Sequence, residues 1–142
     1  MPLLSVRDLM VFYENAIAIN GLNLDVEEGQ IVGVFGSNAA GKTTLMNALS
    51  GLLLELKKRE DRRGGIRITL FGRISFDGED ITLLKPIERV KRGIVVCRER
   101  HPIFPQSSVE ENLKIAAFLL PSTKKRGLLD LVYTVFPVLK DL

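Results

Sequence analysis

The sequence predicts an α/β fold, and three observations carry that prediction. Ile31-Val32-Gly33-Val34-Phe35 is a short apolar run closed by Gly36, which reads as a strand buried on both faces. The loop Gly36-Ser37-Asn38-Ala39-Ala40-Gly41-Lys42-Thr43-Thr44 follows, and Leu45, Ala48, Leu49, Leu52 and Leu53 then recur at helical spacing. The order is therefore strand, glycine loop, helix. Alternating segments on both sides of this unit read as further strands.

Size and composition bound the answer. A chain of 142 residues suits one domain with a single core. With 46% hydrophobic and 26% charged residues it has the balance of a soluble globular protein. No stretch approaches the ~18 apolar residues of a membrane span. Arg7 and Asp8 interrupt the apolar N-terminus, and no small-residue cleavage site follows, which argues against a signal peptide. One cysteine, Cys97, excludes an internal disulfide and fits a reducing compartment. With His101 the only histidine, a dedicated zinc site is not expected. The formal charge of +3 demands no nucleic-acid partner. The basic run Lys57-Lys58-Arg59-Glu60-Asp61-Arg62-Arg63 has no interleaved aromatic residue. It reads as a solvated loop or helix end rather than a nucleic-acid or lipid patch.

Taken in order, residues 3–13 mix apolar side chains with Arg7 and Asp8, as in an edge or half-exposed strand. Leu22, Leu24 and Val26 alternate with Asn23, Asp25 and Glu27 and end at the turn Glu28-Gly29. Beyond the glycine loop and its helix, Ile66, Ile68 and Leu70 alternate with Arg67, Thr69 and Phe71, and Ile74 and Phe76 extend that texture to the turn Asp77-Gly78. Residues 86–91 have a short helical pattern, and Gly93-Ile94-Val95-Val96-Cys97 is a second buried-strand candidate. Ser108-Val109-Glu110-Glu111 has the capping-box pattern, with Val109, Leu113, Ala116 and Leu120 on the helical face behind it. Residues 121–126 read as a polar break. Residues 127–139 read as a last amphipathic helix, with Leu128, Leu131, Val132 and Val135 on one side. There is no internal repeat.

Gly36, Gly41, Lys42 and Thr43 satisfy the template G-x-x-x-x-G-K-[ST]. A triphosphate needs many donors in a small space, and backbone amides supply them where small residues let the chain approach. The helix from Lys42 aims its positive dipole end at the phosphates. Lys42 reaches the β- and γ-phosphates as a point charge, and the Thr43 hydroxyl ligates Mg²⁺. The strand before and the helix after the loop argue against a chance glycine turn. The reaction stays open at this point, because kinases, GTPases, recombinases and transport ATPases share the loop.

"VFYEN", then "LNLDVEEGQIVGVFGSNAAGKTTLMNALSGLL", "ISFDGEDITLLKPIERVKRGI" and "IFPQSSVEENLKIAAFL" resemble, in this order, the start of an ATP-binding-cassette (ABC) ATPase. The turn FDGxDIT and the stretch FPxxTVEENL place the resemblance with the ATPase subunits of branched-chain amino-acid importers. The resemblance implies a P-loop NTPase core (residues 1–53 and 66–105), with an N-terminal antiparallel β layer. It also implies an exposed insertion at 54–65 and the start of a helical subdomain at 106–142. The implied cofactors are ATP and Mg²⁺. The nucleotide would lie on Gly36, Ser37, Asn38, Ala39, Ala40, Gly41, Lys42, Thr43 and Thr44, with Tyr13 stacked on the adenine. Phe12 is the competing aromatic, and Tyr13 as a half-buried strand residue is the plain structural reading. Glu99 stands where the family has a glutamine that approaches Mg²⁺ and the attacking water. The branched-chain subgroup resembles this sequence in carrying glutamate there, which makes Glu99 a metal candidate beside Thr43; a plain surface charge is its alternative role. The implied partners are a second ATPase subunit, arranged head to tail, and transmembrane permease subunits. That places the protein in the cytoplasm, peripheral to the inner face of the membrane.

Several features depart from the family pattern. Ala39 stands where glycine is usual; if that position is left-handed, alanine costs on the order of 1 kcal/mol. The signature LSGGQ is not in the sequence. No four apolar residues precede an Asp-Glu pair; Leu128-Leu129-Asp130-Leu131 is the nearest imitation and lies on a helical pattern. His101 does not sit where the switch histidine belongs. No catalytic residue is therefore assigned. A positioned general base contributes ~10²–10⁴ in rate, and phosphate-facing donors from a partner's signature are comparable to an oxyanion donor at ~10²–10³. The expectation is a truncated ATPase that holds ATP with negligible turnover, and whose residues 31–35 lack a strand neighbour. The rival expectations are a stand-alone, non-hydrolysing nucleotide-binding module and another P-loop enzyme such as a small-molecule kinase. Segments of antiparallel texture before the loop argue against the kinase.

Overall fold

A computed structural model describes residues 1–99 and 103–140; Arg100, His101, Pro102, Asp141 and Leu142 lie outside the described residues. The chain folds as two compact units, Met1–Val96 and Cys97–Leu142.

The first unit is built on a four-stranded antiparallel sheet in the order β2-β1-β3-β4. The strands are β1 (Leu4–Tyr13), β2 (Ala16–Val26), β3 (Ile68–Phe76) and β4 (Glu79–Asp80). The alternation at Leu22, Leu24 and Val26 does mark a strand, which begins earlier, at Ala16. β1 is not an edge strand: it pairs with both β2 and β3. Its Val6, Leu9 and Val11 are fully buried. Arg7 and Asp8, which suggested an edge, fall at an irregularity of the pairing. There Asp8 takes a φ of 48°, and the extra residue turns both polar side chains outward. Asp77 and Gly78 have φ of 50° and 76°, the double positive φ of a tight hairpin turn, and connect β3 to β4.

Helices α1 (Lys42–Ser50), α2 (Leu52–Arg63) and α3 (Pro86–Lys91) complete the unit. Leu45, Ala48 and Leu53 join Val6, Leu9, Val11, Ile19, Ile68, Ile74 and Ile81 in one buried cluster. α2 runs through most of the charged stretch at 54–65, where Leu54, Leu56, Lys57 and Glu60 are half-buried and the other residues exposed. Its Leu53 is buried and its Lys57 donates to the Ile68 carbonyl at 2.7 Å. Lys, Arg and Glu are good helix formers, and ion pairs such as Lys58–Glu55 and Lys57–Asp61 support the exposed face.

Two expected strands are not present among the described residues. Residues 31–37 and 94–98 carry no ladder. Ile31 and Phe35 are 97% and 94% exposed, and Val95 is 75% exposed. A strand buried on both faces exists only between neighbours, and the four strands here pair only with one another. The apolar composition is thus left facing outward, as the missing-neighbour argument anticipated.

In the second unit, Ser108 and Glu111 form the capping box: the Ser108 amide donates to Glu111 Oε2 at 2.8 Å and the Glu111 amide to Ser108 Oγ at 3.2 Å. The box opens α4 (Val109–Ala116). The last helix, α5 (Ser122–Val135), starts five residues earlier than the sequence pattern suggested. Residues 121–126 are therefore not a break. Pro121, whose ring cannot continue a helix from before it, stands at the N-cap, and Lys124, Lys125 and Arg126 are favourable inside the helix. Leu128 to Leu131 lie within α5, as their spacing indicated. A 3₁₀ turn, Pro137–Lys140, ends the described chain.

Candidate nucleotide site

The loop from Gly36 to Gly41 joins the unpaired run to α1, and residues 31–40 are all exposed. Gly41 is the N-cap of α1 with φ 84°, and no side chain caps the helix. The first backbone bond of the helix runs from the Leu45 amide to the Gly41 carbonyl at 2.8 Å. The amides before Leu45 therefore have no partner inside the helix, and the positive end of α1 opens onto solvent. Lys42 folds back over the loop, its ammonium donating to the Gly36 and Ser37 carbonyls at 2.7 Å each. Thr43 beside it is exposed and Thr44 half-buried. Ala39 has a φ of 66°, so this residue does occupy the left-handed region that favours glycine.

The position of the loop is set by an irregularity in the sheet. Val11 pairs with Ile19 and Phe12 with Ile17, which leaves Ala18 as an extra residue on β2. A bulge re-aims the groups around it, and here the Ala18 carbonyl faces Gly41 so closely that a β-carbon at Gly41 would strike its oxygen. The α1 N-terminus is thereby seated against β2.

Tyr13 pairs across the hairpin with Ala16, two residues from that bulge and about 7 Å along the strand. Its ring is half-buried and rests on the core cluster. Phe12 is engaged elsewhere, edge-on to Phe71 with ring centroids 6.2 Å apart. Both aromatic residues stand at this end of β1, and of the two only Phe12 packs against another ring. Glu99 is exposed and belongs to the second unit. Among the described residues no cluster of three His, Cys, Asp or Glu side chains is placed to hold a metal.

An exposed, uncapped helix start follows a glycine-rich loop with an ammonium folded over it, the local arrangement of a P-loop, on an α/β scaffold. The sequence pattern described as ABC transporter matches residues 19–137, and the chain belongs to that family. Its fold is that of part of an ATP-binding cassette. It aligns with the nucleotide-free ATP-binding cassette of an ABC transporter at a TM-score of 0.66 and 25% identity, covering 88% of this chain and 45% of that one. It is 34% identical to the high-affinity branched-chain amino acid transport ATP-binding protein BraF of Pseudomonas aeruginosa, over 81% of this chain and 40% of that protein. It is equally 34% identical to the lipopolysaccharide export system ATP-binding protein LptB of Haemophilus influenzae, over 80% of this chain and 41% of that protein. The chain spans less than half the length of these two relatives, and the identities do not separate the branched-chain subgroup from lipopolysaccharide export. No helix among the described residues is long and apolar enough to cross a membrane.

Proposed function

We propose that the chain is the nucleotide-binding part of an ABC transporter ATP-binding subunit, one that couples ATP hydrolysis to import of branched-chain or other apolar amino acids. The observation that carries the reading is the uncapped start of α1 beneath the folded Lys42. This donor set suits a triphosphate: amides of residues 37–44 face its oxygens, and Lys42 exchanges its two loop carbonyls for the β- and γ-phosphates. Tyr13 takes the adenine face. Mg²⁺, when bound, would neutralise phosphate charge, and the Thr43 hydroxyl would help to hold it; the resemblance offers Glu99 as a further candidate. Gly36, Ser37, Asn38, Ala39, Ala40, Gly41 and Thr44 orient the phosphates through the backbone alone.

Hydrolysis in the working assembly is in-line attack of water on the γ-phosphate, releasing ADP and inorganic phosphate. This chain contributes positioning and charge to that step. The apolar, exposed residues 31–35 and Val95 support a place inside a larger parallel sheet. Residues 106–142 read as the start of the helical subdomain that meets a permease at the inner face of the membrane. A second ATPase subunit, head to tail, completes the assembly. The antiparallel layer before the loop stands against a small-molecule kinase.

The test is an ATP–Mg²⁺ titration of the chain and of Lys42→Ala. The unaltered chain binds and the variant loses tight binding; unchanged affinity in the variant overturns the role of Lys42.

A further inference from the structure

Arg89, on the short helix α3, is the one charged side chain among the described residues that is completely buried, at 0% exposure. Its guanidinium makes four hydrogen bonds, all to backbone carbonyls. Nη1 donates to Ala48 at 2.7 Å and Leu49 at 2.9 Å, Nη2 to Thr82 at 2.9 Å, and Nε to Leu84 at 3.0 Å. No carboxylate among the described residues pairs with it directly. Burial lowers its pKa to about 10, with Asp80 acting at a distance in the opposite sense, so it remains a cation at neutral pH. A desolvated cation is an expensive way to fill a core, and an apolar side chain would pack there at less cost.

Two of the four acceptors explain the placement. Ala48 and Leu49 belong to the last turn of α1, whose carbonyls lack the partner four residues on that the helix interior supplies; apart from Arg89, the Ala48 carbonyl accepts from the cap amide of Gly51, at 3.3 Å. The negative end of the helix dipole lies there and favours a cation. The other end of the same helix carries Lys42 and Thr43. Nine residues make a rigid rod of about 13 Å, so whatever fixes one end fixes the other. The N-terminal end is seated on the Ala18 bulge through Gly41. The C-terminal end is pinned by Arg89 to the carbonyls of Thr82 and Leu84, in the segment leading into α3. A side chain at Gly51, just beyond α1, would crowd Arg89 Nε at 2.9 Å, so the approach at that junction is close as well.

We infer that Arg89 is a positioning residue of the nucleotide site: by clamping the last turn of α1 it sets the angle and depth at which the first turn meets the terminal phosphate. Without the clamp α1 pivots on its Gly41 contact, and Lys42 and Thr43 move relative to the γ-phosphate while the loop still surrounds the inner phosphates. The inference rests on residues 36–44 being the phosphate site.

The experiment measures ATP and ADP affinities for the chain, Arg89→Lys and Arg89→Met at a temperature where circular dichroism shows folded protein. A variant that only lowers the folded fraction weakens both nucleotides by the same factor and leaves their ratio unchanged. Loss of positioning lowers the preference for ATP over ADP, by about fivefold or more in Arg89→Met and less in Arg89→Lys, which keeps the charge but not the fork. An unchanged ratio in both variants overturns the inference alone. Failure of the unaltered chain to bind either nucleotide overturns the phosphate-site reading and the inference with it. Should neither variant fold, the Arg89 Nε–H resonance of the unaltered chain is the readout. It moves on addition of ATP and not of ADP; a resonance indifferent to ATP refutes the clamp.

Discussion

Replacing Gly41 by alanine probes the seat of the phosphate helix. Two costs add. The backbone at Gly41 has a φ of 84°, and a left-handed conformation costs an L-residue about 1–2 kcal/mol. The new methyl group would also strike the Ala18 carbonyl oxygen, and overpacking of that kind costs about 1–3 kcal/mol. The sum, about 2–5 kcal/mol, is a large fraction of the ~5–15 kcal/mol that stabilises a typical domain. Gly29→Ala isolates the first cost: Gly29 has a φ of 73° and nothing within 4 Å of where its β-carbon would lie. Urea denaturation of both variants gives the two free-energy changes. Gly41→Ala exceeds Gly29→Ala by about 1–3 kcal/mol, or else the loop lifts off β2 and ATP affinity falls instead. Equal destabilisation within about 0.5 kcal/mol, with ATP affinity unchanged in Gly41→Ala, refutes the proposed seat.

Two other perturbations address the adenine platform and the sheet edge. Tyr13→Leu keeps an apolar contact with the core but removes the ring; ATP affinity drops about 5–150-fold, the equivalent of ~1–3 kcal/mol of stacking, while inorganic triphosphate binds as before, as measured by calorimetry. Asp80 accepts from the Thr82 hydroxyl at 2.6 Å and the Thr82 amide at 2.9 Å and pairs with Arg73 at 3.0 Å, and these contacts, led by the Thr82 hydroxyl, hold its pKa below the ordinary 3.8. A depressed carboxylate contributes stability that is present above the unfolded-state value and lost as pH falls through the folded one. Asp80→Asn therefore costs about 0.5–1 kcal/mol at pH 7, discounted for solvent exposure, and flattens the fall in stability below about pH 4, followed by denaturation at a series of pH values.

What the sequence disclosed depended on how local each signal was. The glycine loop, the start of α1, the capping box at Ser108 and the turn at Asp77-Gly78 are settled by residues a few positions apart, and all were legible. The resemblance marked Ala39 as standing where glycine is usual, but whether its backbone is left-handed was left as a condition that only the structure resolves, at a φ of 66°. Residues 31–35 misled in one respect: their apolar composition signals burial between neighbouring strands, and whether those neighbours exist is not a local property. The position of β1 was hidden for a related reason, because Arg7 and Asp8 look like edge residues until the bulge that turns them outward is known. α2 was obscured by a charge run that suits a solvated helix as well as a loop. Arg89 gave no signal at all: in the run Glu88-Arg89-Val90-Lys91-Arg92 nothing distinguishes it from Lys91 and Arg92, which are exposed. Only the fold shows which of the three reaches the carbonyls of α1.

An amide-resolved NMR titration with ATP and Mg²⁺ bears most directly on the phosphate site. The N–H resonances of Gly41, Lys42 and Thr43 should move together and saturate, and inorganic triphosphate should reproduce most of the change. Resonances of those three residues that stay fixed at saturating ATP would contradict the account.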